Sequence, residues 1–278
     1  MKVKIATIQI IVIMMGILLL LFSACENSEE GVDVNGLVEF SSKDAKDMIE
    51  ETGVEEWTYV TLGDSLNMTY PSMLVEMMEE DLGIRITYMR RWIGGDHSSL
   101  MLERLRSSDS LRQDLRDADV ITFDIPYNIF EKPCQFACGA SDEGCEGLTK
   151  EECLAEAAET YMADTDAILA EIDMICDSSK TLIRTMDSYQ FFIKESKDAG
   201  SFEMINKYWR ECNEHLIAEA AKYNIPVIRT YDAFMGESGE EDPMDSNLIY
   251  NGKNQTEEGA EIVAKLFHEV GYFYAPEK

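Results

Sequence analysis

Ser65 is the residue whose type and setting most clearly suggest chemistry. It lies in Gly63-Asp64-Ser65-Leu66, directly after the β-type run Tyr59-Val60-Thr61-Leu62. If that run is a strand, the glycine permits a sharp exit, and the serine lies at the strand's carboxyl end before a helix. A hydroxyl there could act as a nucleophile, with backbone N–H groups near the helix start facing an oxyanion. Taken alone, the tripeptide is better explained by a turn with a helix cap, so the accompanying motifs must decide between the two.

The elements that must position Ser65 alternate between strands and helices. The sequence predicts strands at 57–62, 84–90, 120–125, 181–186 and 226–231, and helices at 70–81, 100–116, 151–176, 202–223 and 257–270. Such alternation indicates parallel crossovers and a sheet with helices on both faces. We therefore predict an α/β fold, a three-layer α/β/α sandwich with a parallel central sheet. Working residues are expected at the carboxyl ends of its strands.

Three further motifs accompany the Ser65 motif. They are Gly95-Asp96-His97-Ser98, the run Ala118–Ile125 leading to Pro126-Tyr127-Asn128, and Asn251-Gly252-Lys253-Asn254 leading to Glu258-Gly259. Together the four motifs resemble the blocks of the SGNH hydrolases, the GDSL esterase/lipase family, which have a flavodoxin-like fold. The resemblance extends over most of the folded domain. It implies that Ser65 is the nucleophile and that the oxyanion rests on Ser65 N–H, Gly95 N–H and the Asn128 side chain. It also implies acyl or acetyl esters of lipids, polysaccharides or small molecules as substrates.

The sequence departs from the family pattern at its chemical centre. The third block has Pro126 in place of glycine and Ile129 in place of aspartate. The last block normally reads Asp-x-x-His, but here Asn251 stands at the Asp position and Asn254 at the His position. A neutral amide cannot take the serine proton, so general-base activation through Asn254 is lost.

Two functional interpretations follow from these motifs. In the first, the chain is an ester hydrolase in which an unidentified base serves Ser65; His97 is the candidate nearest the expected cleft, whereas His215 and His268 are expected to be structural. In the second, the chain is a pseudoenzyme whose cleft binds the ester but turns it over poorly or not at all. We favour impaired turnover, because two of the three triad positions are altered together. A structural or partner-binding protein of the same fold is the alternative from another class.

The N-terminus predicts export. Lys2 and Lys4 precede an apolar run from Ile5 to Phe22, and Ser23-Ala24 then precede Cys25. This pattern is similar to the bacterial lipobox, so residues 1–24 are expected to be a lipoprotein signal peptide and Cys25 the lipidated first residue. An uncleaved membrane anchor and simple secretion are the alternatives. Residues 25–51 would be a tether, and residues 52–278 the SGNH hydrolase-like domain of an extracytoplasmic, lipid-anchored bacterial protein.

The charge of the chain limits its partners. It has 24 Lys and Arg against 54 Asp and Glu, a formal net charge of −30. Nucleic acid is therefore not expected as a partner, because binding to phosphates requires a basic surface. The acidic segment Glu237–Asp245 is expected to be a loop with weak calcium-binding potential. No metal or cofactor is predicted, so the expected partners are the membrane and a small ester or acylated glycan or lipid ligand.

Six cysteines follow Cys25, and an exported protein places them where thiols oxidise. Their even number allows up to three disulfides. Four fall within the predicted insertion 131–153, namely Cys134, Cys138, Cys145 and Cys153, with Cys176 and Cys212 as the leftover pair. Zinc is a weaker alternative, because the segment contains no histidine and lacks paired Cys-x-x-Cys spacing. The insertion follows Asn128, so we predict a disulfide-held cap over the cleft.

Overall fold

The structure is a computed structural model that describes residues 38–40 and 56–274. The predicted signal peptide and Cys25 lie outside the described residues, as does most of the predicted tether. Within 38–40 and 56–274, no helix is both long enough and apolar enough to cross a membrane.

A five-stranded parallel sheet forms the centre of the domain. Its strands are β2 (Glu56–Leu62), β3 (Arg85–Arg90), β4 (Val120–Asp124), β5 (Leu182–Met186) and β6 (Val227–Ile228), arranged in the order β3-β2-β4-β5-β6. Every residue of β4 and β5 is buried, as expected for central strands covered on both faces. Two antiparallel pairs lie outside this sheet: β1 (Val38–Phe40) with β9 (Tyr272–Tyr274), and β7 (Ile249–Tyr250) with β8 (Asn254–Gln255).

Helices cover both faces of the sheet. They are α1 (Tyr70–Leu82), α2 (Ser98–Ser107), α3 (Asp109–Arg116), α4 (Glu131–Ala137), α5 (Lys150–Ile175), α6 (Ile193–Asp198), α7 (Phe202–Lys222), α8 (Thr230–Met235) and α9 (Glu257–Glu269). In one layer α1 packs against α9, and in the other α5 packs between α2 and α7. The predicted three-layer α/β/α sandwich is confirmed.

Local chemistry explains where the long helices begin and end. Thr149 and Glu152 form a reciprocal capping box at the start of α5, so two backbone N–H groups that lack helical partners are satisfied. Proline lies in the first turn of α1, where its missing N–H costs nothing. The helix then ends at Gly83, whose φ of 71° permits the left-handed turn.

Two predicted elements were wrong in detail. The helix predicted at 100–116 is two helices, α2 and α3, because Ser108 is extended and its hydroxyl accepts a hydrogen bond from Leu111 N–H, which starts a new helix. The strand predicted at 226–231 ends after Ile228. The buried Asp187 carboxylate accepts hydrogen bonds from Tyr231 N–H and the Thr230 hydroxyl, which starts α8 instead.

The range predicted to be a tether contains one described strand. Val38–Phe40 falls within 25–51 and pairs as strand β1 with the last strand, β9. Apolar and aromatic residues at 38 and 40 fit an extended segment, a signal that the polar composition of the surrounding residues obscured.

The described cysteines form one disulfide, between Cys145 and Cys153, which closes the loop before α5 onto its first turn. Cys134 on α4 and Cys138 directly after this helix are free thiols, and Cys176 and Cys212 are also free. The sequence left the pairing open, and no disulfide joins the leftover pair of Cys176 and Cys212. The Cys176 thiol at the end of α5 donates to the Leu115 carbonyl, whereas Cys212 is buried within α7.

Candidate active site

The Ser65 turn begins where β2 ends, at Gly63. This glycine has a φ of 111°, and a Cβ there would lie 1.9 Å from Asp124 Oδ1, so no side chain fits. Asp64 is buried, and its carboxylate accepts a hydrogen bond from Leu66 N–H at 2.9 Å. Ser65 then opens a one-turn 3₁₀ helix and is partly exposed. The turn therefore presents the serine side chain at the carboxyl edge of the sheet.

Asn67, which the sequence analysis did not single out, stabilises this turn through hydrogen bonds from its buried side chain. Its buried amide donates to the Leu62 carbonyl at 2.8 Å and to Asp124 Oδ1, and it accepts a hydrogen bond from the Tyr70 hydroxyl at 2.6 Å. A buried asparagine two residues after the serine has no motif of its own. The sequence feature that could have identified it is an amide side chain at a position that faces the core, where apolar residues are expected.

The second motif lies beside Ser65. Ile93 N–H donates to the Gly63 carbonyl at 2.9 Å, and a Cβ built on Gly94 would come within 3.9 Å of Ser65 Cβ. Gly95 follows with a φ of 79° and with open space where a Cβ would be. The predicted oxyanion donor Gly95 is thus at the correct edge of the sheet.

Asn128 joins the third motif to the first two. Its Nδ2 donates to Asp64 Oδ2 at 2.6 Å and to the Asp96 carbonyl at 2.5 Å. Its Oδ1 accepts a hydrogen bond from the Lys253 ammonium group. Both amide hydrogens are engaged, so an oxyanion would have to compete with Asp64 and Asp96 for them.

The last motif forms the turn between β7 and β8. Asn251 has a φ of 49°, a conformation that asparagine tolerates better than most residues. Its Oδ1 accepts hydrogen bonds from Asn254 N–H at 3.2 Å and from Asn254 Nδ2 at 3.4 Å. Strand β8 packs against the 3₁₀ turn of Ser65. Asn251 and Asn254 therefore contact each other, and the strand that Asn254 begins lies beside the Ser65 turn.

No described side chain forms a hydrogen bond with Ser65 Oγ. His97 lies near the site, because its backbone bridges to Tyr127, and its buried Nδ1 has no partner among the described residues. His215 pairs with Asp166 at 2.6 Å and His268 with Asp81 at 2.8 Å, each between helices. In the described part of the chain, then, Ser65 has no hydrogen-bonded base.

Three buried carboxyl groups surround the turn. Burial raises the pKa of Asp64, while Leu66 N–H and the Lys253 charge act against this rise. Burial and the neighbouring Asp64 charge raise the pKa of Asp124 well above its ordinary value. Burial also raises the pKa of Asp96, against the opposing effect of Arg104, whose guanidinium lies 2.9 Å away. The Asp124 carboxyl accepts from Asn67 and the Asp64 carboxyl from Asn128, whereas the Asp96 carboxyl pairs with Arg104.

A cavity of about 210 Å³ adjoins this edge. Four aromatic side chains line it, those of Tyr127, Phe130, Phe191 and Phe192, together with Asn128 and Lys253. Phe192 has a φ of 61°, a strained conformation for a bulky residue and one that collects at ligand sites. The predicted cap contributes only its first residue, Glu131, to the lining, and the disulfide does not reach it.

The parallel sheet and its two helical layers give the chain the fold of the SGNH hydrolases, and the four motifs lie at one edge of that sheet. No protein-family model and no curated protein matches the sequence. Among solved structures, the chain is similar to the lipase Lip_vut3 from a goat rumen metagenome, with 21% identity over 78% of this chain and 98% of that one and a TM-score of 0.63.

Two further structures agree with this fold. A variant of the acetyl xylan esterase Axe2 from Geobacillus stearothermophilus is 14% identical over 77% of this chain and 93% of its own, with a TM-score of 0.54. A lipase/acylhydrolase from Enterococcus faecalis is 18% identical over 80% of this chain and 100% of its own, with a TM-score of 0.51. The similarity in fold thus covers nearly the full length of each of these enzymes.

Proposed function

We propose that this chain is an extracytoplasmic lipoprotein whose SGNH-type cleft binds an acyl or acetyl ester and hydrolyses it slowly or not at all. The observation that carries the proposal is the contact between Asn251 and Asn254, which places a neutral amide where the base would be. A neutral amide has no protonation equilibrium that could accept the Ser65 proton near neutral pH.

The occupied donors of Asn128 support the same conclusion. Its two amide hydrogens bond to Asp64 and Asp96, so the side chain is not aimed at a developing oxyanion. Loss of the base together with a side-chain oxyanion donor removes two contributions that are each worth orders of magnitude in rate. Binding requires neither of them, because the cavity beside Asn128 is open and aromatic.

The proposed ligand is an ester of a lipid or a glycan. Two proteins of similar fold are named as a lipase and as an acetyl xylan esterase. The aromatic cavity suits a small acyl or alkyl group, because apolar walls with a few polar groups are typical of small-molecule sites.

Two measurements test this proposal together. Parent and Ser65→Ala proteins are assayed with p-nitrophenyl acetate and butyrate, and binding of the butyrate to Ser65→Ala is followed by ligand-detected NMR. We expect the hydrolysis rate of the parent to exceed that of Ser65→Ala slightly or not at all, and we expect measurable binding. A Ser65-dependent rate typical of an esterase would refute impaired turnover, and absence of binding would refute the ligand class.

A second candidate, slow hydrolysis with His97 as the base, is favoured by one observation. His97 Nδ1 is buried without a described partner close to Tyr127 and Asn128. If Ser65-dependent turnover is found, His97→Ala should abolish it, and His215→Ala should leave it unchanged. Equal activity of His97→Ala and the parent would remove this candidate.

The lipid anchor is tested separately, by metabolic labelling with a radioactive fatty acid in a bacterial host. Label on the parent chain but not on Cys25→Ala is expected. Label on both, or on neither, would contradict lipidation of Cys25.

A further inference from the structure

Lys253 was not singled out by its sequence, yet it is held firmly within the site. Its backbone carbonyl accepts a hydrogen bond from the Tyr189 hydroxyl at 2.7 Å. Its ammonium group lies 5.2 Å from the centre of the Phe191 ring and donates to Asn128 Oδ1. The side chain also lines the aromatic cavity. A lysine fixed at both its backbone and its ammonium group is positioned for a specific contact.

The chemistry of this contact fixes the orientation of Asn128. An ammonium group can only donate, so the amide oxygen must face Lys253. The amide nitrogen therefore faces Asp64 and Asp96, which accept both of its hydrogens. Turning the amide over would place N–H groups against an ammonium and an oxygen against a carboxylate. Both amide hydrogens of Asn128 are thus used by Asp64 and Asp96, and neither is left to donate to a ligand.

Lys253 has donors to spare. One of its three N–H groups is used by Asn128, and among the described residues it makes no ion pair within 4 Å. The remaining ammonium hydrogens of Lys253 border the aromatic cavity next to Asn128. A charge-assisted hydrogen bond from them is stronger there than in water.

We propose that Lys253 binds the carbonyl oxygen of the ester, taking the side-chain donor role that the resemblance assigned to Asn128. This inference rests on the proposed function and specifies which residue recognises the ester group. The aromatic side chains beside Lys253 hold the acyl group. No bond is made or broken in this step, and Lys253 acts only by donating a hydrogen bond.

The surrounding charges favour a neutral ester over a free carboxylate. Glu131 and Glu195 line the same cavity, and the whole chain has a net charge of −30. Asp64 lies on the other side of Asn128 and already balances part of the Lys253 charge. A carboxylate would meet repulsion from these acids, whereas an uncharged carbonyl accepts the hydrogen bond without it.

Titration of the full chain carrying Ser65→Ala tests this role. The probes are p-nitrophenyl butyrate and p-nitrophenyl butyl ether, which lacks the carbonyl. Lys253→Met should weaken binding of the ester at least tenfold and leave binding of the ether within twofold. Lys253→Arg should retain most of the affinity for the ester, and Lys265→Met, which removes a lysine of α9 paired with Glu261, should change neither ligand.

The outcomes separate the two proposals. Equal ester binding with and without Lys253, or an equal loss for ester and ether, would overturn the role of Lys253 and leave ester binding intact. No ester binding even with Lys253 present would overturn the proposed function and this inference together.

Discussion

Asp187→Asn is expected to remove part of the pH dependence of folding stability. The carboxyl group of Asp187 is fully buried beyond the end of β5, where it accepts hydrogen bonds from Tyr231 N–H at 2.7 Å and Thr230 Oγ1 at 3.0 Å. Arg229 Nε lies 3.0 Å away. Burial raises the pKa of Asp187 from 3.8 to about 6, against the lowering effects of Tyr231 N–H and the Arg229 charge.

The sign follows from proton binding. The folded state holds this proton up to about pH 6, whereas the unfolded chain releases it near pH 4. Between these values the folded state binds more protons, so the contribution of Asp187 to the free energy of unfolding falls as pH rises. At about 1.4 kcal/mol for each pKa unit, the fall is about 3 kcal/mol.

Urea unfolding of parent and Asp187→Asn at pH 4, 5, 6 and 7 measures this contribution. Because the unfolded carboxyl is already more than half ionised at pH 4, the free energy of unfolding of the parent, relative to that of the variant, should fall by about 2.4 kcal/mol from pH 4 to pH 7. Asp198→Asn, which removes an exposed carboxylate, provides the control. A difference between parent and Asp187→Asn that is constant with pH, or that grows, would refute the reasoning.

Three further substitutions are predicted to change stability, each measured by denaturant unfolding. Gly63→Ala should lower the free energy of unfolding by about 3 kcal/mol or more, because a Cβ would collide with Asp124. Gly147 also has a positive φ but has open space around it, so Gly147→Ala should lower the free energy of unfolding by roughly 1 kcal/mol. Equal losses for the two variants would contradict the collision. Cys145→Ser opens a loop with a sequence separation of 8, for a loss of about 2.5 kcal/mol, and no loss would mean that the disulfide is absent. Arg184→Met removes two hydrogen bonds to carbonyls at the end of α9 and should cost roughly 3 kcal/mol; a cost below about 1 kcal/mol would show that these bonds contribute little.

The sequence predicted the parts of the fold that depend on local patterns. Alternating apolar runs and amphipathic helices predicted the parallel sheet and its two helical layers, and the four motifs predicted which loops meet at its edge. The end of β6 was missed because Asp187, which is distant in sequence, accepts a hydrogen bond from the Tyr231 N–H in the first turn of α8. Hydrogen bonds between distant residues leave no periodic signal.

The candidate site shows the same division. Ser65, Gly95, Asn128, Asn251 and Asn254 all lie at the predicted edge, since each is fixed by a motif of contiguous residues. The engagement of Asn128 by Asp64 and Lys253 was not predictable, because it joins residues 64 and 125 positions apart. The available signal was a lysine inside the motif in which asparagines stand where the resemblance places Asp and His.

Restoring the lost pair tests the central claim most directly. In Asn251→Asp/Asn254→His the imidazole would lie against the carboxylate and beside the Ser65 turn, since the two asparagines already contact each other there. Loss of a base costs several orders of magnitude in serine hydrolases, so the Ser65-dependent rate with p-nitrophenyl acetate should rise at least about a hundredfold over the parent. A parent that already hydrolyses this ester through Ser65 as fast as the restored variant would contradict the account.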